Sequence, residues 1–327
     1  MKIRIGIAGY GNIGRGVETA VRDSSDTELA AVFTRRNPDE LKIQSPGVPV
    51  VNFSLAEEYK DIIDVIVLCT GSAKDLPLHG VQFAKLFNTV DSYDNHAKIP
   101  AYLKSINESA LSSGKVSIVS IGWDPGLFSI IRMISEAVLP NGSSYTFWGK
   151  GVSQGHSDAI RKVDSVKYGI QYTIPSESAV DRVRRGETPN LTVRDKHMRE
   201  CFVVCSEDGD KNKIEADIVS MPDYFADYNT KVNFISEEEF KKEHSKMPHG
   251  GLVIRNGKTG GGKNNHTIEF SLKLDSNPEF TGCILLSYAR AAYRMNMEGM
   301  KGAKTVFDVP IFYLSSRNRE DLIKELL

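Results

Sequence analysis

The residues best suited to chemistry come in two groups. One is Gly9-Tyr10-Gly11-Asn12-Ile13-Gly14, in the spacing G-x-G-x-x-G. There the first glycine allows a tight turn, the second lets a pyrophosphate approach the backbone, and the third lets a following helix pack closely. The N–H groups of a helix starting near Asn12 would face the phosphates. Thr34-Arg35-Arg36 stands where an NAD site usually carries an acid, and Arg35 lies 21 residues past Gly14. Two guanidiniums and a hydroxyl suit a ribose 2′-phosphate, which a carboxylate would repel. The cofactor expected is therefore NADP(H). The second group is Asp94 and Asp124, acids that follow two apolar runs. Two carboxylates beside one ammonium group are an arrangement for proton transfer. The plainer reading is loop capping, since Asp before proline commonly begins a turn.

Both groups need a parallel sheet behind them. Ile3, Ile5 and Ile7 form a short apolar strand that runs into Gly9, and Arg15 to Arg22 reads as the following helix. ELAAVFT (28–34) and DVIVLCT (64–70) are continuous apolar runs, as expected for parallel strands covered on both faces. NTVDSYD (88–94), a helical stretch at 99–114 ending in Gly114, and VSIVSIG (116–122) continue the alternation. Strand ends in such sheets line the ligand crevice. Cys69-Thr70-Gly71-Ser72, Asp91 to His96 including Tyr93, and Trp123 to Gly126 are expected there. Beyond residue 145 the pattern changes. YTFWGKGVSQGHSDA reads as loop, and KYGIQYTIP, RECFVVCS, KVNFI, GGLVIRN and HTIEFSLKL alternate like antiparallel strands. The fold class expected is α/β: a Rossmann-type dinucleotide-binding domain over 1–122, completed by a helix near 281–298 within 278–327. An α+β, sheet-rich domain for substrate and dimerisation covers 123–277.

Composition removes other classes. The chain has 327 residues, and 41 Lys plus Arg balance 42 Asp plus Glu. That near-neutrality gives no support for a nucleic-acid or anionic-membrane partner. No apolar run approaches the length of a membrane span, and the start is too brief for a secretory signal. The cysteines Cys69, Cys201, Cys205 and Cys283 form no C-x-x-C, and buried free thiols in a reducing cytoplasm are expected. The histidines show no zinc spacing, so no metal is expected. GKTGGGK (257–263) nearly spells a P-loop, but Asn264 replaces the Ser or Thr that would hold Mg²⁺, and strand-like sequence flanks it. A hairpin loop is the better reading. Gly151-Val152-Ser153-Gln154-Gly155 fits the nucleophile-elbow pattern, but FWGKG is a poor strand to precede it.

Taken together, GYGNIG (9–14), TRR (34–36), DSYDNH (91–96), IGWDPGLFS (121–129), TFWGKGVSQGHSDA (146–159), QYTIPSE (171–177), MPDYF (221–225), MPHGG (247–251) and Asp275-Ser276-Asn277-Pro278 resemble the meso-diaminopimelate D-dehydrogenases. The segments occur in order over nearly the whole chain. The resemblance implies NADP-dependent, reversible oxidative deamination at the D-centre of meso-2,6-diaminopimelate, in lysine and peptidoglycan precursor synthesis, by a cytoplasmic homodimer. It implies that Asp94 and Asp124 hold the reacting amino group, one serving as base. It implies further that Thr173, Arg199, His249 and Asn277 hold the distal L-end, with Gln154 and Gly155 near the reacting carboxylate. Trp123 and Trp148, the only tryptophans, would wall the aliphatic chain; core packing is their plainer role. The loop at Gly260 to Asn265 departs from the family pattern by carrying extra residues. A broad-specificity D-amino-acid dehydrogenase is the alternative, and a non-catalytic NADP sensor a more distant one. A substrate touching residues of both domains would draw them together.

Overall fold

The computed structural model describes residues 2–72 and 74–327. Two compact units emerge, one of residues 1–130 with 278–327, the other of 131–277.

The first unit begins with β1 (Ile3–Ala8), α1 (Asn12–Arg22), β2 (Thr27–Thr34), β3 (Val50–Asn52), β4 (Val65–Leu68), α2 (Leu76–Phe83), β5 (Asn88–Asp91), α3 (Ile99–Ser113) and β6 (Val116–Ile118). The helix α4 (Leu127–Val138) leads into the second unit. After it, α10 (from Asn277 to Met297), β14 (Gly302–Lys304) and α11 (Arg319–Leu326) complete the first. Its strands pair in parallel in the order β14-β6-β5-β4-β1-β2-β3. Apart from β14 this is the doubly wound order, with its reversal between β1 and β4. Apolar side chains cover both faces, which is why these strands read as unbroken apolar runs. Ile5, Ile7, Val17, Val21, Leu285 and Ala289 belong to one buried cluster, and Phe33, Ile66, Leu68, Phe83 and Ile106 to another.

The run 116–122 is strand only to Ile118. Ser120 takes a φ of +60° and gives its N–H to the Asp91 carboxylate, so the chain leaves the sheet there. α3 ends at Gly114, whose φ of +68° is the left-handed cap glycine favours.

The second unit contains β7 (Gly142–Trp148), β8 (Gly151–Val152), α5 (Gln154–Ile160), β9 (Val166–Pro175), α6 (Glu177–Arg184), α7 (Val193–Lys196), β10 (His197–Cys205), α8 (Lys211–Val219), β11 (Asn229–Phe234), α9 (Glu237–Glu243), β12 (His249–Thr259) and β13 (Asn264–Leu274). Two sheets result, β11-β10-β9-β8 and β13-β12-β7. The segment from Tyr145 to Ala159 is therefore not loop. Tyr145 and Phe147 are buried while Ser144 and Thr146 alternate between them, and antiparallel pairing with β12 makes the strand. The glycine run Gly260–Gly262, all at positive φ, turns the β12–β13 hairpin.

Candidate active site

The glycine turn lies at the carboxyl end of β1. Gly9 has a φ of +93°, a conformation that penalises any side chain. A Cβ on Gly14 would strike the Gly9 carbonyl, so glycine there lets α1 sit against the turn. Gly11 opens onto free space. No acid occupies the first turn of α1, which leaves its positive end uncompensated. At the end of β2, Thr34 accepts the Arg36 N–H at 3.0 Å. Arg36 donates to the Tyr10 carbonyl at 2.9 Å, and Arg35 forms a two-pronged pair with Asp75 at 3.0 and 2.6 Å. That pair holds the Asp75 carboxyl below the usual carboxylate range. A cavity of about 250 Å³ is lined by Gly9 to Gly11, Thr34 to Arg36, Phe53 and Cys69 to Gly71. It joins most of the residues expected to hold a dinucleotide, and adds Phe53. Asp75 beside it was also not anticipated. Both lie on separate connections with no pattern of their own.

Three expected contacts are placed differently. The Tyr10 hydroxyl donates to buried Glu18, and burial first, then Glu18, pushes its pKa up to about 12. Tyr10 still lines the cavity and its carbonyl accepts from Arg36, while its side chain belongs to the buried core with half-buried Ile13 nearby. The Asp91 carboxylate is likewise directed inward. It accepts from the N–H groups of Tyr93 and Ser120, both at 3.0 Å, and from the Tyr102 hydroxyl at 2.8 Å. Burial raises its pKa to about 6 against those three bonds. Asp91 thus staples the ends of β5 and β6, and the Tyr93 ring lies tilted against Tyr102 with centroids 4.3 Å apart. Burial also raises the Cys69 thiol, keeping it protonated. Cys283 is exposed, so not every thiol is buried.

The two acids stand after neighbouring strands. Asp94, past β5, is exposed and accepts from Ser72 Oγ at 2.5 Å. Asp124, past β6, is half-buried in the turn from Gly122 to Gly126. The buried Trp123 ring packs edge-on against Phe128 at 5.3 Å.

In the second unit, the register sets Arg199 of β10 opposite Thr173 of β9, and Thr173 opposite Gly151 of β8. Arg199 is buried and donates to Thr173 Oγ1. Thr173 also receives Gln171 Nε2 at 3.3 Å. Both of its lone pairs are then engaged, and its own proton is left to donate. His249 packs where a Cβ on Gly151 would lie. Its Nδ1 lies 2.8 Å from the Gly250 N–H and 3.1 Å from the Gly250 carbonyl, which fixes the ring against that residue. Burial, with Arg199 adding to it, lowers its pKa against the hydrogen bond to Gly250. Met247 ties two more positions: its sulfur takes Gln154 Nε2 at 3.3 Å, and its carbonyl takes the Asn277 N–H at 3.0 Å. Gly155, in the first turn of α5, has open space beside it.

Trp148 is oriented by a residue the sequence did not flag. Its main-chain N–H donates to His197 Nε2 at 2.8 Å, and the two rings stack at 5.1 Å. Burial, then Lys196 and Arg199, pulls the His197 pKa down to about 3. The strand, turn and helix around Ser153 do form, contrary to the sequence expectation, and Ser153 Oγ meets His156 Nδ1 at 2.8 Å. The His156 ring meets Tyr224 and Phe225 edge-on, and burial, then Arg199, lowers its pKa to about 4. Among the described residues no carboxylate orients His156, so the hydrolase triad is incomplete. Among the described residues no cluster of metal-ligating side chains occurs and no helix is long and apolar enough to cross a membrane.

A doubly wound sheet with the dinucleotide-type glycine turn, two strand-end acids and a second unit that carries buried polar donors belongs to the class of dinucleotide-dependent oxidoreductases. Comparison with known proteins makes this specific. Residues 122–276 match the diaminopimelic acid dehydrogenase C-terminal domain. The meso-diaminopimelate D-dehydrogenase of Ureibacillus thermosphaericus is 59% identical over 326 residues, covering 100% of this chain and 99% of that one. A mutant enzyme of Clostridium tetani solved with DAP is 53% identical, with a TM-score of 0.93 and 100% of both chains covered. An engineered D-amino acid dehydrogenase bound to NADP+ is 44% identical, with a TM-score of 0.88 and 100% of both chains covered. The chain belongs to the meso-diaminopimelate D-dehydrogenase family.

Proposed function

We propose that the site residues divide the work of an NADP-dependent meso-diaminopimelate D-dehydrogenase between a reacting end and a distal end. The reaction is the reversible oxidative deamination of the D-centre of meso-2,6-diaminopimelate, giving L-2-amino-6-oxopimelate and ammonia, a step in making lysine and peptidoglycan precursors. NADP+ supplies the hydride acceptor when bound at the glycine turn. The residues there fit it: Gly9, Gly11 and Gly14 clear the way for the pyrophosphate, and Thr34, Arg35 and Arg36 offer donors to a 2′-phosphate. Asn12 opens α1 beneath the phosphates, and Thr70, Gly71 and Ser72 close the other side of the crevice.

At the reacting end, Asp94 and Asp124 hold the substrate ammonium. One of them takes its proton, so that the nitrogen lone pair can form the imine as the α-hydrogen leaves with its electron pair. That carboxylate passes its proton to solvent and then takes one from the water that adds to the iminium carbon; the proton is returned to nitrogen, and ammonia departs as the new hydroxyl gives its own proton to the carboxylate and becomes the carbonyl. Trp123 and Trp148 exclude bulk water from the carbon chain, and Gln154 and Gly155 meet the adjacent carboxylate. At the distal end Arg199, Thr173, neutral His249 and Asn277 receive the L-amino acid group. The observation that carries this assignment is Arg199 itself, a buried cation joined to a hydroxyl rather than a carboxylate. Burying a charge without an opposite one is costly, and a substrate carboxylate supplies it. Such a site does not suit simple D-amino acids, and a sensor would not need Asp94 and Asp124.

Homodimerisation through the second unit is part of the proposal. β13 pairs only with β12 among the described strands, and half-buried Ile268, Phe270 and Leu272 line that outer strand. Met133, Ile134 and Val138 of α4 are exposed. Such an edge and such side chains call for a partner. Four free cysteines suit the cytoplasm. The deciding experiment is NADPH formation with meso-diaminopimelate beside its L,L and D,D isomers and D-alanine. Oxidation of D-alanine as fast as the meso isomer would replace this reading with a broad-specificity dehydrogenase.

A further inference from the structure

Arg199 is 7% exposed. Its Nη1 donates to Thr173 Oγ1, its Nε has no hydrogen-bond partner among the described residues, and none of the ion pairs there includes it. What covers it is an aromatic ring. The guanidinium carbon lies 3.9 Å from the centroid of Tyr228.

The turn that presents this ring is firmly built. Phe225 is fully buried. The N–H groups of Phe225 and Ala226 donate to the Met221 carbonyl at 3.0 and 3.1 Å, and that of Tyr228 to the Phe225 carbonyl at 3.0 Å. Arg194 reaches the Ala226 carbonyl at 3.0 Å. Directly after Tyr228 the chain enters β11, whose Thr230 is in register with Arg199. The ring is therefore located by a buried anchor on one side and a strand on the other.

We propose that Tyr228 is a positioning residue for the distal carboxylate: its ring face fixes the plane of the Arg199 guanidinium and so holds its donors in place for the substrate. A planar guanidinium stacks on an aromatic face and keeps its donors in one fork, so little freedom remains to be lost when a carboxylate arrives. The electron-rich face also lessens the cost of a cation held without an acid. Burial lowers the Arg199 pKa.

This inference rests on the reading that Arg199 binds the distal carboxylate, and the test separates the two. Tyr228→Phe, Tyr228→Leu, Arg199→Met and the Tyr228→Leu/Arg199→Met double variant are assayed with meso-diaminopimelate at saturating NADP+, with melting temperature and NADPH binding measured for each. Tyr228→Leu should raise KM about 10- to 30-fold and change kcat by less than about threefold, while Tyr228→Phe stays within about threefold of the unmodified KM. In the Arg199→Met background, Tyr228→Leu should add less than about threefold. Should the leucine variant fold poorly, Tyr228→Met fills the space without a ring face, and the same rise in KM is expected. A phenylalanine variant as impaired as the leucine variant would show that the hydroxyl acts and not the ring, and would overturn the proposal. So would additive effects in the double variant, or an unchanged KM in Tyr228→Leu while Arg199→Met raises it. An unchanged KM in Arg199→Met would instead remove the distal reading itself.

Discussion

Replacing Arg199 by methionine should slow turnover of the meso substrate and leave the fold as stable as before, or more so. The guanidinium is buried and held by Thr173 Oγ1 and the Tyr228 ring, with no carboxylate. The hydrogen bond is worth about 1 kcal/mol and the ring contact about 2 kcal/mol when desolvated. The penalty for taking one ion out of water is several kcal/mol. These nearly cancel, so removing the charge gains as much as it loses, and methionine refills the space adaptably. Thr173 keeps Gln171 as a partner at 3.3 Å. Catalysis is affected otherwise, because a charge-assisted bond to the distal carboxylate contributes about 1.5–3 kcal/mol, or about 10- to 150-fold in kcat/KM. D-Alanine has no distal carboxylate, so whatever rate it shows should change by less than about threefold. Initial rates of NADPH formation with both substrates, beside differential scanning fluorimetry, measure all three quantities. A melting temperature more than about 4 °C lower, with both rates falling equally, would make Arg199 a structural strut and refute the argument.

Three further outcomes are expected. Changing Arg35 and Arg36 together to Ala should weaken NADP+ binding by about 100-fold or more, at about 1.5–3 kcal/mol per contact. NAD+ binding should change far less, and fluorescence titration of both cofactors checks this; equal losses would mean that the arginines serve the fold. Asp124→Asn keeps the shape of the turn but removes the base, so kcat should fall about 10²- to 10⁴-fold with NADPH binding retained, and near-normal turnover would reduce Asp124 to a turn-former. His197 governs an acid limb of stability. Its pKa is about 3 in the folded chain, and about 6.5 when unfolded. Below about pH 6.5 the unfolded chain binds the extra proton, so this contribution is complete above that pH and is lost as pH falls toward about 3. His197→Gln should therefore show a smaller drop in melting temperature between pH 7 and pH 5 than the unmodified protein.

The nucleotide half was legible because its signals are local. A turn at positive φ needs glycine at position 9, a helix seated against that turn needs glycine at position 14, and a strand covered on both faces reads as an apolar run. The β12–β13 hairpin and the α3 boundary at Gly114 were equally local. The segment from Tyr145 to Ala159 was not, because β7 becomes a strand by pairing with β12, more than a hundred residues later.

Side-chain direction divides the site in the same way. The sequence by itself determined which residue types stand at strand ends, and its family motifs picked out Thr173, Arg199 and His249. It could not tell that the Tyr10 hydroxyl and Asp91 point into the interior, since that depends on Glu18 and Ser120 being folded against them. Nor could it find Tyr228 above Arg199, or His197 behind Trp148. A guanidinium's charge is written in one residue, but its orientation and its lack of a counter-ion are properties of everything packed around it, and those neighbours come from β9, from β10 and from the turn before β11. Only the tertiary structure brings those segments together, because the burial that makes an unpaired charge costly exists only once they are packed.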